Sequence, residues 1–170
     1  MTTTLETRIF KPRPSTGWIW VGGLGAALLA VGMSLLIKSG LSGPFLLTIL
    51  LTVPIGIGFL VIAGFFPTMR YEMDDKRLRL TYGPLLRYVI DIEQIKRIRR
   101  RDMGIGLVSS FRFPGLALFN VPYPDVGTVK MCATAAGTGI LLIETETRTY
   151  GVTPMDEETF IAELKRRMRR

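Results

Sequence analysis

Two long apolar runs dominate the N-terminal part of the chain. They extend from Trp18 to Ile37 and from Phe45 to Phe66, hold no charged residue, and are separated by the short segment KSGLSGP. A helix needs about 20 apolar residues to cross the roughly 30 Å hydrocarbon core of a bilayer. Inside lipid the backbone must also be hydrogen-bonded within the segment itself, which favours helices. The pattern therefore predicts a hairpin of two transmembrane helices over residues 17–66.

Beyond the apolar runs, hydrophobic and polar residues alternate with a period of two. The alternation occupies residues 69–73 and 77–82, on either side of the turn Asp74-Asp75-Lys76, and predicts a β-hairpin. Five more segments read as short strands, so about seven strands are expected at the spacing of a sandwich or barrel: LLRYVI, IKRIRR, VKMCATA, ILLIETE and RTYGVT.

The strand register of residues 92–101 stays open at this stage. Ile95 and Ile98 are separated by an odd number of positions, so both can face a core only if the strand bulges between them. A helix over DIEQIKRIRR is a weaker alternative for the same segment.

The C-terminal segment predicts an amphipathic helix. Thr153 is a suitable N-cap, Pro154 occupies the first helical position, and Asp156 completes the spacing of a capping box. Acidic residues follow in the first turn and basic residues end the segment, as the helix dipole favours. The helix is expected to close the open end of the β structure with one apolar stripe, formed by Phe160, Ile161, Leu164 and Met168.

The charges indicate a topology. Lysine and arginine outnumber aspartate and glutamate by 22 to 14, and basic residues flank both outer ends of the apolar runs, whereas Lys38 alone lies in the connecting loop. By the positive-inside rule, both termini are expected in the cytoplasm. The expected organisation is a cytoplasmic segment over 1–16, the hairpin over 17–66 and a cytoplasmic domain over 67–170. The second run directly after the first favours a retained helix over a cleaved signal peptide.

Three segments carry a family resemblance: YEMDDKRLRLTYGP, GLALFNVPYPDVGTVKMCATA and ILLIETETRTYGVTPMDEETFIAEL. Over residues 68–170 the chain resembles the membrane-anchored bacterial pleckstrin-homology (PH) domain family. The resemblance implies an α+β fold, in which a curved antiparallel β-barrel is capped by the C-terminal helix. It also implies a binding or assembly module without catalysis, and with the topology above it places the chain in the bacterial plasma (inner) membrane.

Chemistry-bearing residues are scarce. The chain has no histidine, which removes the commonest general base and the commonest metal ligand. Cys132 is the single cysteine, so no intramolecular disulfide forms. Gly23-Leu24-Gly25 resembles half of a dinucleotide fingerprint but lies inside an apolar run with no preceding strand. We therefore expect no enzyme activity, no cofactor and no metal site.

Small residues in the apolar runs form a candidate helix-packing set. Four recur every four residues in the first run, and glycines occur in the second, which allows a close approach of another backbone. The helices either pack on each other or present this stripe to another protein. The candidates are Gly22, Ala26, Ala30, Ser34, Gly56 and Gly64.

Two surfaces of the soluble part are candidates for contact. An apolar set in the long connection between Asp102 and Asp125 is expected to be covered by the domain itself, a partner or the membrane: Phe111, Phe113, Leu116, Leu118 and Phe119. A basic set is expected either to contact anionic lipid or to remain a solvated face: Lys96, Arg97, Arg99, Arg100, Arg101, Lys165, Arg166 and Arg167. These basic patches lack interleaved aromatics, so nucleic acid is not expected as a partner.

The basic loop that grips head groups in phosphoinositide-binding relatives has a poor counterpart here. Lys76, Arg77 and Arg79 match the end of that motif, but the loop is only three residues long and carries two acids. We therefore expect no specific head-group binding at this loop.

Two non-catalytic functions remain open. In the first, which we favour, the chain is an accessory or assembly subunit of a larger membrane complex, and its PH-like domain is a protein-interaction module. In the second, it is a self-associating or anionic-lipid-sensing membrane module without a stable partner. A homo-oligomer is compatible with either function.

Overall fold

The computed structural model describes residues 7–40, 44–104 and 111–169. They form two compact units. One unit is helical and comprises residues 16–67. The other is rich in β structure and combines residues 7–15 with residues 68–169.

The helical unit consists of helix α1 (Gly17–Ser39) and helix α2 (Leu46–Gly64), and a single 3-10 turn (Phe66–Thr68) follows the second helix. Both helices are long and apolar enough to cross a membrane. Only 17% and 11% of the most apolar window of each helix is buried within the structure, unlike the core helix of a soluble protein. The two helices predicted from the apolar runs are therefore present.

The contact between α1 and α2 is made by glycines. A Cβ atom on Gly25 would lie 2.9 Å from the carbonyl oxygen of Gly56, and a Cβ on Gly56 would lie 2.9 Å from that of Gly25. Gly32 is similarly close to the side chains of Thr52 and Val53. The two backbones thus touch without intervening side chains, as in small-residue packing of membrane helices.

The buried residues of α1 are for the most part sequence neighbours of the predicted small residues and not those residues themselves. Val21, Gly25 and Gly32 are buried, whereas Ala26, Ala30, Ser34 and, in α2, Gly64 are exposed. These four residues thus lie outside the closest contact between the helices, whereas Gly22 is half-buried and a Cβ on it would lie 3.4 Å from that of Ala63. The reason is that small residues occur in two adjacent registers of α1. That the exposed stripe faces another protein stays a prediction.

The β unit contains two sheets in the described part of the chain, not one closed barrel of about seven strands. The first sheet has the order β1 (Arg8–Phe10), β2 (Arg70–Met73), β3 (Arg77–Tyr82) and β4 (Leu86–Asp91). The second has the order β5 (Ile95–Arg101), β9 (Ile140–Thr145), β10 (Thr149–Val152), β8 (Gly127–Ala133), β7 (Leu116–Tyr123) and β6 (Arg112–Phe113). Three strands were not expected: β1 and β6 are too short to show a period, and β7 lies in the segment that was expected to be a long connection.

The segment before the helices is part of the β unit. Strand β1 pairs antiparallel with β2, which places Phe10 opposite Tyr71. Beyond β1, the Arg13 amide donates to the Thr153 carbonyl at 2.7 Å, and the Met155 amide donates to the Lys11 carbonyl at 2.9 Å. Both ends of the helical segment therefore join the same folded unit, which sequence alone did not indicate.

The predicted hairpin is confirmed. Strands β2 and β3 pair antiparallel, and their apolar residues are all buried, as the alternation requires. In β5 the pairing with β9 shifts between Ile95 and Arg97, which is the bulge that the isoleucine spacing demands. Ile95 is buried and Ile98 is half-buried as a result. A short 3-10 helix (Ile92–Gln94) precedes this strand, so only the start of the segment is helical.

Tyr71 ties the two sheets to the C-terminal helix α3 (Glu157–Met168). Its buried hydroxyl donates to the Cys132 carbonyl of β8 at 2.8 Å and accepts from the Thr153 amide at 3.3 Å. Its ring also meets the ring of Phe160 edge to face, with 6.2 Å between centroids. The helix thus covers the core through Phe160, as its apolar stripe predicts.

The start of α3 differs from the expected capping box. Asp156 is the N-cap, and its carboxylate accepts from the Thr159 amide at 3.0 Å. Thr153 is fully buried, and its hydroxyl accepts from the Thr134 amide at 2.8 Å. Thr153 makes this hydrogen bond in the core and does not cap the helix. The N-cap therefore lies three residues further along the chain, at Asp156.

Candidate interaction surfaces

The exposed basic residues of β5 are partly neutralised by neighbouring carboxylates. Lys96 pairs with Glu146 at 2.9 Å, and Arg99 pairs with Glu144 at 2.5 Å across the β5–β9 pair. Arg97 and Arg100 are exposed, and Arg101 is half-buried. The basic set from β5 is therefore spread along a strand whose cations are in part already paired.

Arg167 does not belong to a lipid-contacting surface. Its side chain is 2% exposed and forms ion pairs with Glu163 at 2.7 Å and with Asp75 at 3.4 Å. The prediction of lipid contact is wrong for this residue, because the turn between β2 and β3 supplies a carboxylate that holds it inside the domain. Lys165 and Arg166, on the same helix, are exposed.

Glu163 is the centre of a buried ion-pair network. Its carboxylate accepts hydrogen bonds from Arg166 at 2.7 and 3.0 Å and from Arg167 at 2.7 Å, and Arg8 of β1 lies 3.6 Å away. Chiefly through the hydrogen bonds from Arg166, and also through those from Arg167, the pKa of Glu163 is lowered to about 2. The network connects α3 to β1 and, through Arg167, to the β2–β3 turn.

Three phenylalanines of the predicted apolar set form an aromatic cluster. The ring of Phe111 meets those of Phe113 and Phe119 edge to face, with centroid distances of 5.1 and 5.8 Å. All three are half-buried. Phe119 also has a φ of 65°, which is rare for a bulky side chain and is associated with functional or over-determined positions. The cluster keeps apolar surface available at the surface of the β unit.

Leu116 and Leu118 do not form part of that surface. Both are fully buried in strand β7. The prediction of partner or membrane contact is wrong for these two residues, since strand alternation and the second sheet place them in the core. The domain itself covers this part of the apolar set.

The outer face of the first sheet is a surface that sequence reasoning missed. The pairing of β2, β3 and β4 aligns Arg70, Thr81 and Arg87 in one row across three strands. These residues, together with Glu72, Gly83 and Pro84, line a cleft of about 370 Å³. Sequence shows each of them at an outward position, but only the strand register brings them together.

Apolar side chains flank this cleft on the same outer face. In the next row, Ile9 pairs with Glu72 and Val89 pairs with Arg79. Ile9 is 61% exposed and Val89 is 45% exposed. Apart from residues 16–67, the described part of the chain exposes only one other large hydrophobic side chain, Met155. The outer face thus combines arginines with exposed aliphatic groups.

Asp74, in the short loop between β2 and β3, and Asp91, at the end of β4, pair with the arginines at the start of β3. Asp74 accepts from the backbone amides of Lys76 and Arg77 and pairs with Arg79 at 2.9 Å. Arg77 pairs with Asp91 at 3.2 Å. Arg77 and Arg79 thus already have carboxylate partners, and the absence of specific head-group binding at this loop stays a prediction.

The described residues contain no group of three or more acidic, cysteine or histidine side chains that could hold a metal ion. Cys132 is buried, and burial raises the pKa of its thiol.

Two packed sheets with a C-terminal helix across the core define a PH-like fold. Comparison with protein-family models gives a match to the family described as Bacterial PH domain over residues 69–168. The chain belongs to this family, as the resemblance of its three segments predicted. PH domains are generally non-catalytic binding modules, and no enzyme family is indicated. Comparisons with curated proteins and with solved structures give no match.

Proposed function

We propose that this chain is an integral membrane protein with two spans, and that its cytoplasmic PH domain docks a partner protein as an accessory or assembly subunit of a larger membrane complex. The pairing of β1 with β2 is the observation that carries the topology in this proposal. It joins the chain before the helices to the chain after them in one sheet. A membrane cannot separate two paired strands, so the segment between them crosses it an even number of times.

The composition of the helices supports anchoring. Both lack charged residues apart from Lys38 near the end of α1, and most of their apolar side chains are exposed. In water such a surface would be costly, at roughly 25 cal/mol per Å² of apolar area. Lipid or partner helices would cover it. The exposed stripe of Ala26, Ala30 and Ser34 supports a partner helix in particular, because small residues allow close approach.

The topology can be tested by cysteine labelling. A membrane-impermeant maleimide applied to intact cells is expected to label Lys38→Cys, in the last turn of α1, and not Lys165→Cys, in α3. Background from the native thiol is low because Cys132 is buried. Labelling of both positions, or of Lys165→Cys alone, would contradict two spans with a cytoplasmic domain. Labelling after permeabilisation controls for the reactivity of each site.

The aromatic cluster supports a protein partner for the domain. Apolar rings that remain half-buried at a surface are common anchors of protein interfaces. The absence of histidine from the sequence and the lack of a metal-ligand cluster among the described residues support a binding role over catalysis.

Extraction from native membranes in mild detergent tests the subunit proposal. Other membrane proteins are expected to co-purify with the tagged chain in a fixed ratio, and Phe113→Asp is expected to reduce their recovery at least tenfold, as for a central interface residue. Met155→Asp is the matched control, since Met155 is 60% exposed elsewhere on the β unit. Recovery of the chain alone, or as a homo-oligomer with anionic lipid, would instead favour a self-contained membrane module.

A further inference from the structure

We propose that the cleft on the outer face of the first sheet binds the phosphate group of an anionic membrane lipid through Arg70, Thr81 and Arg87. This binding site lies outside the basic set that the sequence suggested. The inference rests on the membrane anchoring proposed above and adds to it a defined contact between the β unit and the lipid surface.

The row of three residues has the spacing that a phosphate requires. Neighbouring strands lie about 4.8 Å apart, so Arg70 and Arg87 start about 10 Å from each other, with Thr81 between them. Two flexible guanidinium groups can converge over the central strand and grip phosphate oxygens in the bidentate manner that arginine favours. The Thr81 hydroxyl supplies a further donor at the centre of the cleft.

Arg87 provides the charge that is free for a ligand. It is exposed and has no ion pair within the described part of the chain. Arg70 contacts Glu72 through its Nε atom at 2.7 Å. The carboxylate of Glu72 therefore offsets one of the two arginines, and the cleft keeps a net positive charge through Arg87.

The surroundings of the cleft favour a lipid over a soluble anion. Ile9 and Val89 are exposed on the same face in the adjacent row. Aliphatic groups beside a basic cleft suit the boundary between head groups and acyl chains, where both are stabilised.

The cleft is distinct from the loop that binds head groups in relatives of the family. That loop lies between β2 and β3, whereas the cleft is at the opposite end of the same strands, beside the turn at Gly83 and Pro84. Arg77 and Arg79, which follow that loop, are paired with Asp91 and Asp74.

Native mass spectrometry of the purified full chain in mild detergent tests the proposal. Phosphatidylglycerol and phosphatidylcholine are titrated into separate samples. The unmodified chain is expected to retain phosphatidylglycerol in preference, and Arg87→Gln is expected to weaken this binding about fivefold. The substitution is at an exposed position, so folding is expected to be unaffected.

Arg77→Gln is the matched control. Arg77 lies on the same outer face and is 57% exposed, but it is at the other end of β3 and pairs with Asp91. Equal weakening by both substitutions, or none by Arg87→Gln, would overturn the proposal. In a further experiment, inorganic phosphate is added at millimolar concentration to the lipid-bound chain. Lipid binding is expected to remain unchanged. Displacement of the lipid by inorganic phosphate would instead assign the cleft to a soluble phosphate.

Carbonate extraction of native membranes separates the two proposals. Release of the chain by carbonate would refute the anchoring itself. Retention of the chain in the membrane, together with lipid binding that is insensitive to Arg87→Gln, would refute only the phosphate cleft.

Discussion

Replacing Gly25 by leucine is expected to force α1 and α2 apart. Even the first carbon of a side chain would lie 2.9 Å from the Gly56 carbonyl oxygen and 3.1 Å from the Leu60 amide nitrogen, and backbone atoms cannot rotate away as a side chain can. Overpacking of this kind costs about 1–3 kcal/mol. The thermal midpoint of the helical unit is expected to fall, as measured by tryptophan fluorescence in detergent. Trp18 and Trp20, the only tryptophans of the chain, both lie in α1.

Gly23→Leu provides the matched control two positions away in the same helix. A Cβ at Gly23 meets no atom within 4 Å, so its midpoint is expected to stay close to that of the unmodified chain. Equal loss of stability in the two variants would show that helix propensity, and not the contact between helices, sets the effect.

Glu163→Gln is expected to destabilise the β unit by about 3 kcal/mol at neutral pH. The change removes the carboxylate that lies 2.7 Å from the guanidinium of the buried Arg167. Leaving a buried charge without its main partner is strongly unfavourable. Hydrogen exchange of the β-strand amides in the full chain measures the loss. Glu158→Gln, at an exposed position of the same helix, is expected to change little.

The same carboxylate predicts a loss of stability in acid. The pKa of Glu163 is about 2 in the folded state against an ordinary value of 4.5, so the unfolded chain binds the proton more readily. Its contribution is therefore complete above about pH 4.5 and is lost as the pH falls towards 2. Glu163→Gln is expected to flatten this part of the stability profile. An unchanged acid dependence in the variant would assign it to other groups.

The sequence predicted best those elements whose pattern of hydrophobic and polar residues depends on residues close to one another in the chain. Residues 69–82 form the expected hairpin because one face of each strand is buried and the turn between them is short. The register of β5 stayed open, and the structure has the bulge that the spacing of Ile95 and Ile98 allowed as one alternative. The apolar helices and the PH domain were also recognisable, since length, period and segment order determine them.

Tertiary contacts explain the elements that sequence did not predict. Strand β1 has three residues, and its place depends on a partner strand that lies beyond both helices. Arg167 resembles its exposed neighbours in a basic tail, and only the position of Asp75 shows that it is buried. The row of Arg70, Thr81 and Arg87 likewise depends on the register of three strands. No local pattern contains this information.

The distance along the chain between β1 and β2 also determines the order of synthesis and folding. Phe10 is translated early, but its partner Tyr71 follows only after both apolar helices. At about 5–20 residues per second, the ribosome takes roughly 3–12 s to bridge that interval. During this time β1 has no strand to pair with. The first sheet is therefore completed only after the whole helical segment has been synthesised.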